Sequence, residues 1–141
     1  MKDTVIKFDN VSKIYKLYSS TRKRLLAIFF KNIKYKKKKA VDEVSFEIKR
    51  GDSVALFGKN GAGKSTTIKA ILNIIKNDSG TISVFGMDHI ANERKIKQRI
   101  AAVFDENPFN DVLNAKEINA IMRRIYSKWE PHTFMNYLER F

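Results

Sequence analysis

The nine residues from Gly58 to Thr66, GKNGAGKST, constrain the chain more than any other stretch. Gly58 is followed by four residues and then by Gly63-Lys64-Ser65, which is the spacing of a phosphate-binding loop. Without a Cβ, the backbone at Gly58, Gly61 and Gly63 can turn through positive φ and approach an anion closely. Successive N–H groups then point inward as a nest, and a helix starting near Gly63 adds the positive end of its dipole. Lys64 supplies a full positive charge for the β- and γ-phosphates of a nucleotide, and the Ser65 hydroxyl suits a Mg²⁺ ligand. At average residue usage the pattern arises by chance about once in a few hundred chains of this size.

The flanking residues are those the motif needs. Ser53 to Phe57, SVALF, is a short apolar run between Gly51-Asp52 and Gly58, the pattern of a buried strand in a mostly parallel sheet. After the loop, Ile68, Ile71, Leu72 and Ile75 fall on one face of a helix. Strand, glycine loop and helix in this order predict a nucleotide-binding set of Gly58, Lys59, Asn60, Gly61, Ala62, Gly63, Lys64, Ser65 and Thr66. Lys59 and Asn60 lie on the outer turn, where polar side chains are expected in any case. Thr66 either supports the phosphate end through its hydroxyl or caps the helix.

Elsewhere the pattern changes from element to element. TVIKF (residues 4–8), VSFEI (44–48) and SGTISVFG (79–86) alternate as half-buried strands do, and the turn KRGD predicts that VSFEI pairs antiparallel with SVALF. ERKIKQR reads as a short polar helix or turn. IAAVF, Ile100 to Phe104, is a second candidate for a buried parallel strand. Ile118, Ile121, Met122 and Ile125 mark an amphipathic helix, and Pro131 can open another that carries Phe134, Leu138 and Phe141. Trp129 and Phe134 read as core of these helices rather than as ligand groups. His89 and His132 are expected at the surface.

At 141 residues the chain has the length of one domain. It has no cysteine, which excludes a disulfide framework and a cysteine-based metal site. The first residues carry no apolar signal core and no stretch is long enough to span a bilayer, so the expectation is a soluble, intracellular chain. Its charge is lopsided. Of the net +13, ten charges come from Lys16 to Ala40, which holds no Asp or Glu.

In the order and spacing of these pieces the chain resembles the N-terminal portion of an ABC transporter ATP-binding subunit. VSKIYK resembles the family's adenine-contacting stretch and places Tyr15 as the aromatic that stacks on the base; the alternative for Tyr15 is a core aromatic. AVDEVSFEIKRGD, NDSGTISVFG and IAAVFDENPFNDVLNAKE resemble the lead-in to the P-loop strand, the segment after the P-loop helix, and the Q-loop with the start of the helical subdomain. The resemblance implies an α/β P-loop NTPase fold: a mixed sheet around the P-loop helix, an antiparallel β-subdomain, and the start of a helical subdomain. It makes residues 1–141 a partial nucleotide-binding domain, with a basic insert at about 16–40, the P-loop at 58–66 and the helical subdomain from about 105 to 141. It implies ATP and Mg²⁺ as cofactors. As partners it implies a membrane-spanning transporter subunit and a second ATP-binding subunit, at the inner face of the cell membrane.

Two departures from the family pattern bear on chemistry. Where the family has a glutamine after the strand, this chain has Asp105, with Glu106 the next candidate; a carboxylate there can bind Mg²⁺, and an exposed acidic loop is the alternative. No residues resemble the signature motif, the catalytic glutamate or the switch histidine. No catalytic residue is therefore assigned, and hydrolysis by this portion alone is expected to be negligible.

The basic insert resembles one in polysaccharide and teichoic-acid exporters, whereas residues 119–141 resemble antibiotic-type exporters. Three readings of it stand: a solvated basic hairpin, an element facing anionic lipid or the membrane subunit through Leu25, Leu26, Ile28, Phe29 and Phe30, and a nucleic-acid surface with Tyr18 and Tyr35 among its lysines. Nucleic acid ranks last. Two alternatives to the transporter subunit follow: a soluble ABC-type ATPase acting on RNA or ribosomes, and a non-catalytic ATP-binding regulatory fragment.

Overall fold

A computed structural model describes residues 3–30, 32–104 and 113–140. The chain forms two compact units, Met1–Ile96 and Lys97–Phe141.

The first unit is built on a long hairpin. Strand β1 (Thr4–Leu17) and strand β2 (Lys36–Lys49) pair antiparallel from Thr4↔Lys49 to Leu17↔Lys36. Strand β3 (Ser79–Val84) pairs with the other edge of β1, and the short β4 (Met87–Asp88) closes a four-stranded sheet in the order β2-β1-β3-β4. The alternation in all three predicted strands is thus realised. Their inward residues make the core: Phe8, Val11, Val41, Ile82 and Val84, joined by Ala70 and Ile96. Phe8 stacks on its cross-strand partner Phe46 at 4.6 Å and lies opposite Ile82 on its other side.

The β1–β2 register slips at bulges, and polar side chains satisfy the backbone there. The buried Ser12 hydroxyl accepts the Glu43 N–H at 2.9 Å, and the Ser45 hydroxyl accepts the Asn10 N–H at 2.8 Å. Asp78 ties the start of β3 to β1, accepting the Ile14 N–H at 2.7 Å and pairing with Lys13 at 3.2 Å. The Ile14 N–H foremost, and then the Lys13 ammonium, hold its carboxyl below the ordinary carboxylate range. A lowered folded-state pKa stabilises the fold fully above the unfolded value and loses that contribution as pH falls through the folded one. Asp78→Asn should therefore cost about 1 kcal/mol at neutral pH, reduced from the buried case by solvent screening. The parent–variant gap should close below about pH 4, as urea unfolding across pH would measure.

The helix after the glycine loop, α2 (Lys64–Ile71), is shorter than its apolar spacing predicts. Asn73 adopts φ 51°, its N–H bonds the Ala70 carbonyl, and the Ile74 N–H reaches back to Lys69. This left-handed stop ends the helix one turn early and puts Ile75 beyond it.

Other sequence expectations are corrected. VSFEI pairs with β1, not with SVALF: beyond Lys49 the Arg50 N–H continues the same ladder onto Asp3, and Asp52 folds back locally onto Lys49. SVALF and IAAVF form no strand, and Phe57 and Val103 are 92% and 99% exposed. A parallel strand holds only with bonded neighbours and both faces covered. The described sheet of the first unit is antiparallel throughout, and the described residues of the second unit contain no strand. His89 is buried at 2%, its Nδ1 3.0 Å from the Ile82 carbonyl oxygen, because the β3–β4 turn carries it under the sheet.

The first unit also contains two further helices. Helix α1 (Thr21–Phe29) rises from the insert with Ser20 as its N-cap, accepting the Lys23 N–H, where no helix was predicted. Helix α3 (Glu93–Lys97) is the predicted short polar one and ends at the boundary between the units.

In the second unit, α4 (Ala115–Ile125) opens on a capping box between Asn114 and Glu117, and α5 (Pro131–Leu138) opens on its proline. Gln98 closes the end of α4, donating to the Ile125 carbonyl and accepting the Ser127 N–H. Trp129 and Phe134 pack at 5.3 Å, and the Trp129 indole N–H bonds Asn119 at 2.7 Å. They are packing residues, as the sequence implies.

Candidate nucleotide-binding site

A cavity of about 380 Å³ opens between the glycine loop and the far end of the β1–β2 hairpin. Asn60, Gly61, Gly63, Lys64, Ser65 and Thr66 line it from the loop and the first turn of α2. Tyr15, Leu17, Lys38 and Ala40 line it from the hairpin. Both strands of the hairpin, at the base of the insert, thus meet the glycine loop at one site.

The loop is shaped for an anion. Gly61 and Gly63 have φ 82° and 92°, and Gly58 φ 155°, so the positive-φ backbone expected of them is present. Gly63 occupies the N-cap of α2. The first N–H of that end to close onto a carbonyl is Thr67 onto Gly63, at 2.8 Å. The N–H groups of Lys64, Ser65 and Thr66 precede it and have no intrahelical acceptor, as at any helix start. They form the positive end of the helix at the cavity.

Lys64 folds over the loop and donates to the carbonyls of Gly58 at 2.6 Å and Lys59 at 3.0 Å. An ammonium has three donors, so one remains for a ligand oxygen. Ser65 lines the cavity, and its hydroxyl is a hard oxygen of the kind Mg²⁺ takes together with phosphate oxygens and water. Among the described residues no cluster of three or more acidic or histidine side chains forms a metal site independent of a nucleotide.

The predicted residues fall into place unevenly. Tyr15 is on the cavity wall and 37% exposed, which removes the core reading, and the Lys13 ammonium lies over its ring, 5.8 Å from the centroid. Gly58, Lys59 and Ala62 belong to the loop but do not line the cavity. Asp105 and Glu106 lie outside the described residues. Sequence reasoning missed Leu17, Lys38 and Ala40. The available signal was the hairpin register: Tyr15 stands opposite Lys38, and directly opposed residues share a face.

A glycine loop on a helix N-terminus, with an antiparallel sheet supplying an aromatic wall, defines a P-loop nucleotide-binding domain of α/β class. The ABC transporter family model matches residues 41–140, and the chain belongs to that family. It is 38% identical over 97 residues to the bacitracin transport ATP-binding protein BcrA of Bacillus licheniformis, covering 67% of this chain and 32% of that protein. It is 41% identical over 88 residues to the ABC transporter ATP-binding protein YtrB of Bacillus subtilis (strain 168), covering 62% and 30%. An O-antigen export system ATP-binding protein of Klebsiella pneumoniae is 34% identical over 90 residues, covering 60% of this chain and 37% of that one. The match to these relatives spans about a third of their length. A solved structure of the ATP-binding subunit of an ABC transporter superposes with a TM-score of 0.63 at 24% identity, over 89% of this chain and 44% of the other, and shares its fold.

Proposed function

We propose that the chain binds Mg²⁺-ATP as part of the nucleotide-binding subunit of an ABC exporter. The observation that carries this is the cavity itself, with Tyr15 in its hairpin wall and Gly61, Gly63, Lys64, Ser65 and Thr66 in its loop wall. Adenine stacks on Tyr15. The phosphates lie in the nest of N–H groups at the start of α2, under Lys64. Ser65 ligates the Mg²⁺ that comes with the nucleotide, and Asp105, or Glu106 beside it, contributes a carboxylate to the same ion. Residues from about 105 to 141 are read as the start of the helical subdomain.

The exporter reading draws on relatives named for bacitracin transport and O-antigen export. Its partners are a membrane-spanning subunit and a second ATP-binding subunit, which places the chain at the inner face of the membrane. Among the described residues no helix is long and apolar enough to cross a membrane. Helix α1 supports contact with an anionic lipid surface: Arg22, Lys23 and Arg24 occupy its first half, and Ile28 and Phe29 are 73% and 82% exposed in its second. Nucleic acid fits the insert less well. Tyr18 and Tyr35 pack together at 5.7 Å and Lys16 lies over Tyr35, so these aromatics are not splayed for base stacking.

Calorimetric titration with Mg²⁺-ATP tests the reading. Lys64→Met should weaken binding about thirtyfold, equivalent to about 2 kcal/mol, with little change in the unfolding midpoint. A parent chain that is folded yet binds no ATP, or a Lys64→Met variant that binds as tightly, would refute it.

A further inference from the structure

We propose that Lys38 is a second cation for the nucleotide's phosphates, delivered by the root of the basic insert. The proposal rests on reading the cavity as an ATP site and adds a residue to it.

Three features of the hairpin single Lys38 out from the run Lys36–Lys39. Lys38 lines the cavity, while Lys36, Lys37 and Lys39 do not. Strand alternation turns Lys37 and Lys39 to the other face, while Lys36 shares the Lys38 face but stands opposite Leu17, one step further along β2 from Ala40. The Lys38 ammonium comes within 3.7 Å of the point where a side chain at Gly61 would begin, so its charge sits beside the phosphate loop although its Cα stands opposite Tyr15. Finally, Lys39 is bound to Asp42 at 2.8 Å, whereas Lys38 has no carboxylate partner among the described residues.

An unneutralised ammonium beside an anion nest raises the local positive potential where a polyphosphate carries most of its charge. The lysine spans the distance from the base-stacking rung to the loop. It therefore discriminates by phosphate number: the contribution is largest for ATP, smaller for ADP and absent for adenosine. Lys64, tethered to two loop carbonyls, holds the phosphates from one side, and Lys38 holds them from the hairpin side.

The test is a set of calorimetric titrations of the full chain with ATP, ADP and adenosine. Lys38→Gln should weaken ATP about tenfold and ADP about threefold, and leave adenosine unchanged, the size expected of one charge pair near a protein surface. Lys38→Arg should retain most of the ATP affinity. Lys37→Gln, one residue away on the opposite face, should change it by less than about twofold. The dependence of ATP affinity on salt should also become shallower in Lys38→Gln. Equal effects of Lys38→Gln and Lys37→Gln would reduce the lysine to a diffuse charge and overturn the proposal, as would equal losses for adenosine and ATP. A folded parent chain that fails to bind ATP removes the nucleotide reading itself, and this proposal with it. ATP binding by the parent that is unaltered in Lys38→Gln removes only the role of Lys38.

Discussion

Alanine at Gly63 is expected to lower ATP affinity by about a hundredfold or more and to destabilise the fold by about 3 kcal/mol. Two effects add. The residue has φ 92°, a conformation that costs an L-residue about 1–2 kcal/mol. In addition, a Cβ there would fall on the Ala40 carbonyl oxygen, far inside the 3.0 Å that real Cβ contacts respect. Ala40 is the bulge residue of β2 between Lys39 and Val41, both paired with β1, so shifting it disturbs the ladder on either side and the loop moves instead. A displaced Gly63 swings the start of α2 away from the cavity, and the nest loses its geometry. Gly86→Ala provides the comparison, because Gly86 has φ 73° and nothing within 4 Å of its Cβ position. That variant should lose only about 1 kcal/mol and keep its ATP affinity. Urea unfolding and calorimetry on both variants separate backbone strain from the clash. Equal losses in the two would remove the Ala40 contact from the account.

Phe8→Ala is expected to cost about 3–5 kcal/mol, enough to consume much of the stability of a domain this size. Phe8 is 2% exposed and sits where three strands meet, stacked on Phe46 from β2 and opposite Ile82 from β3. Truncation removes the transfer energy of the ring and leaves a cavity that the paired strands cannot collapse to fill. Phe46→Ala should cost less, because Phe46 is only half-buried. Thermal and urea unfolding would rank the two. The reverse order would mean that Phe46, not Phe8, anchors the sheet.

The parts legible in the sequence are those whose signal is local. The glycine loop, the alternation of β1, β2 and β3, the proline start of α5 and the spacing of α4 each depend on residues a few positions apart. What stayed hidden depends on what a residue meets. Periodicity carried α2 to Ile75, but the left-handed Asn73 stops it at Ile71. Apolar runs at 53–57 and 100–104 have the composition of buried strands, and composition alone does not provide neighbours to pair with. Polarity put His89 on the surface, whereas the β3–β4 turn puts it inside. Lys38 looked like one of four equivalent lysines until the register set it opposite Tyr15.

That register separates two jobs within one hairpin. The last rung, Leu17↔Lys36, ends the hairpin beside the cavity wall, and residues 18–30 and 32–35 lie beyond it. Closing a longer loop adds entropy only slowly, about 0.6 kcal/mol for each doubling of length. The overhang can therefore lengthen, shorten or change its chemistry while the Tyr15–Lys38 rung stays in place. The hairpin resembles a socket with an interchangeable fitting: selection can retune what the outer end docks against while the fuel end keeps its dimensions.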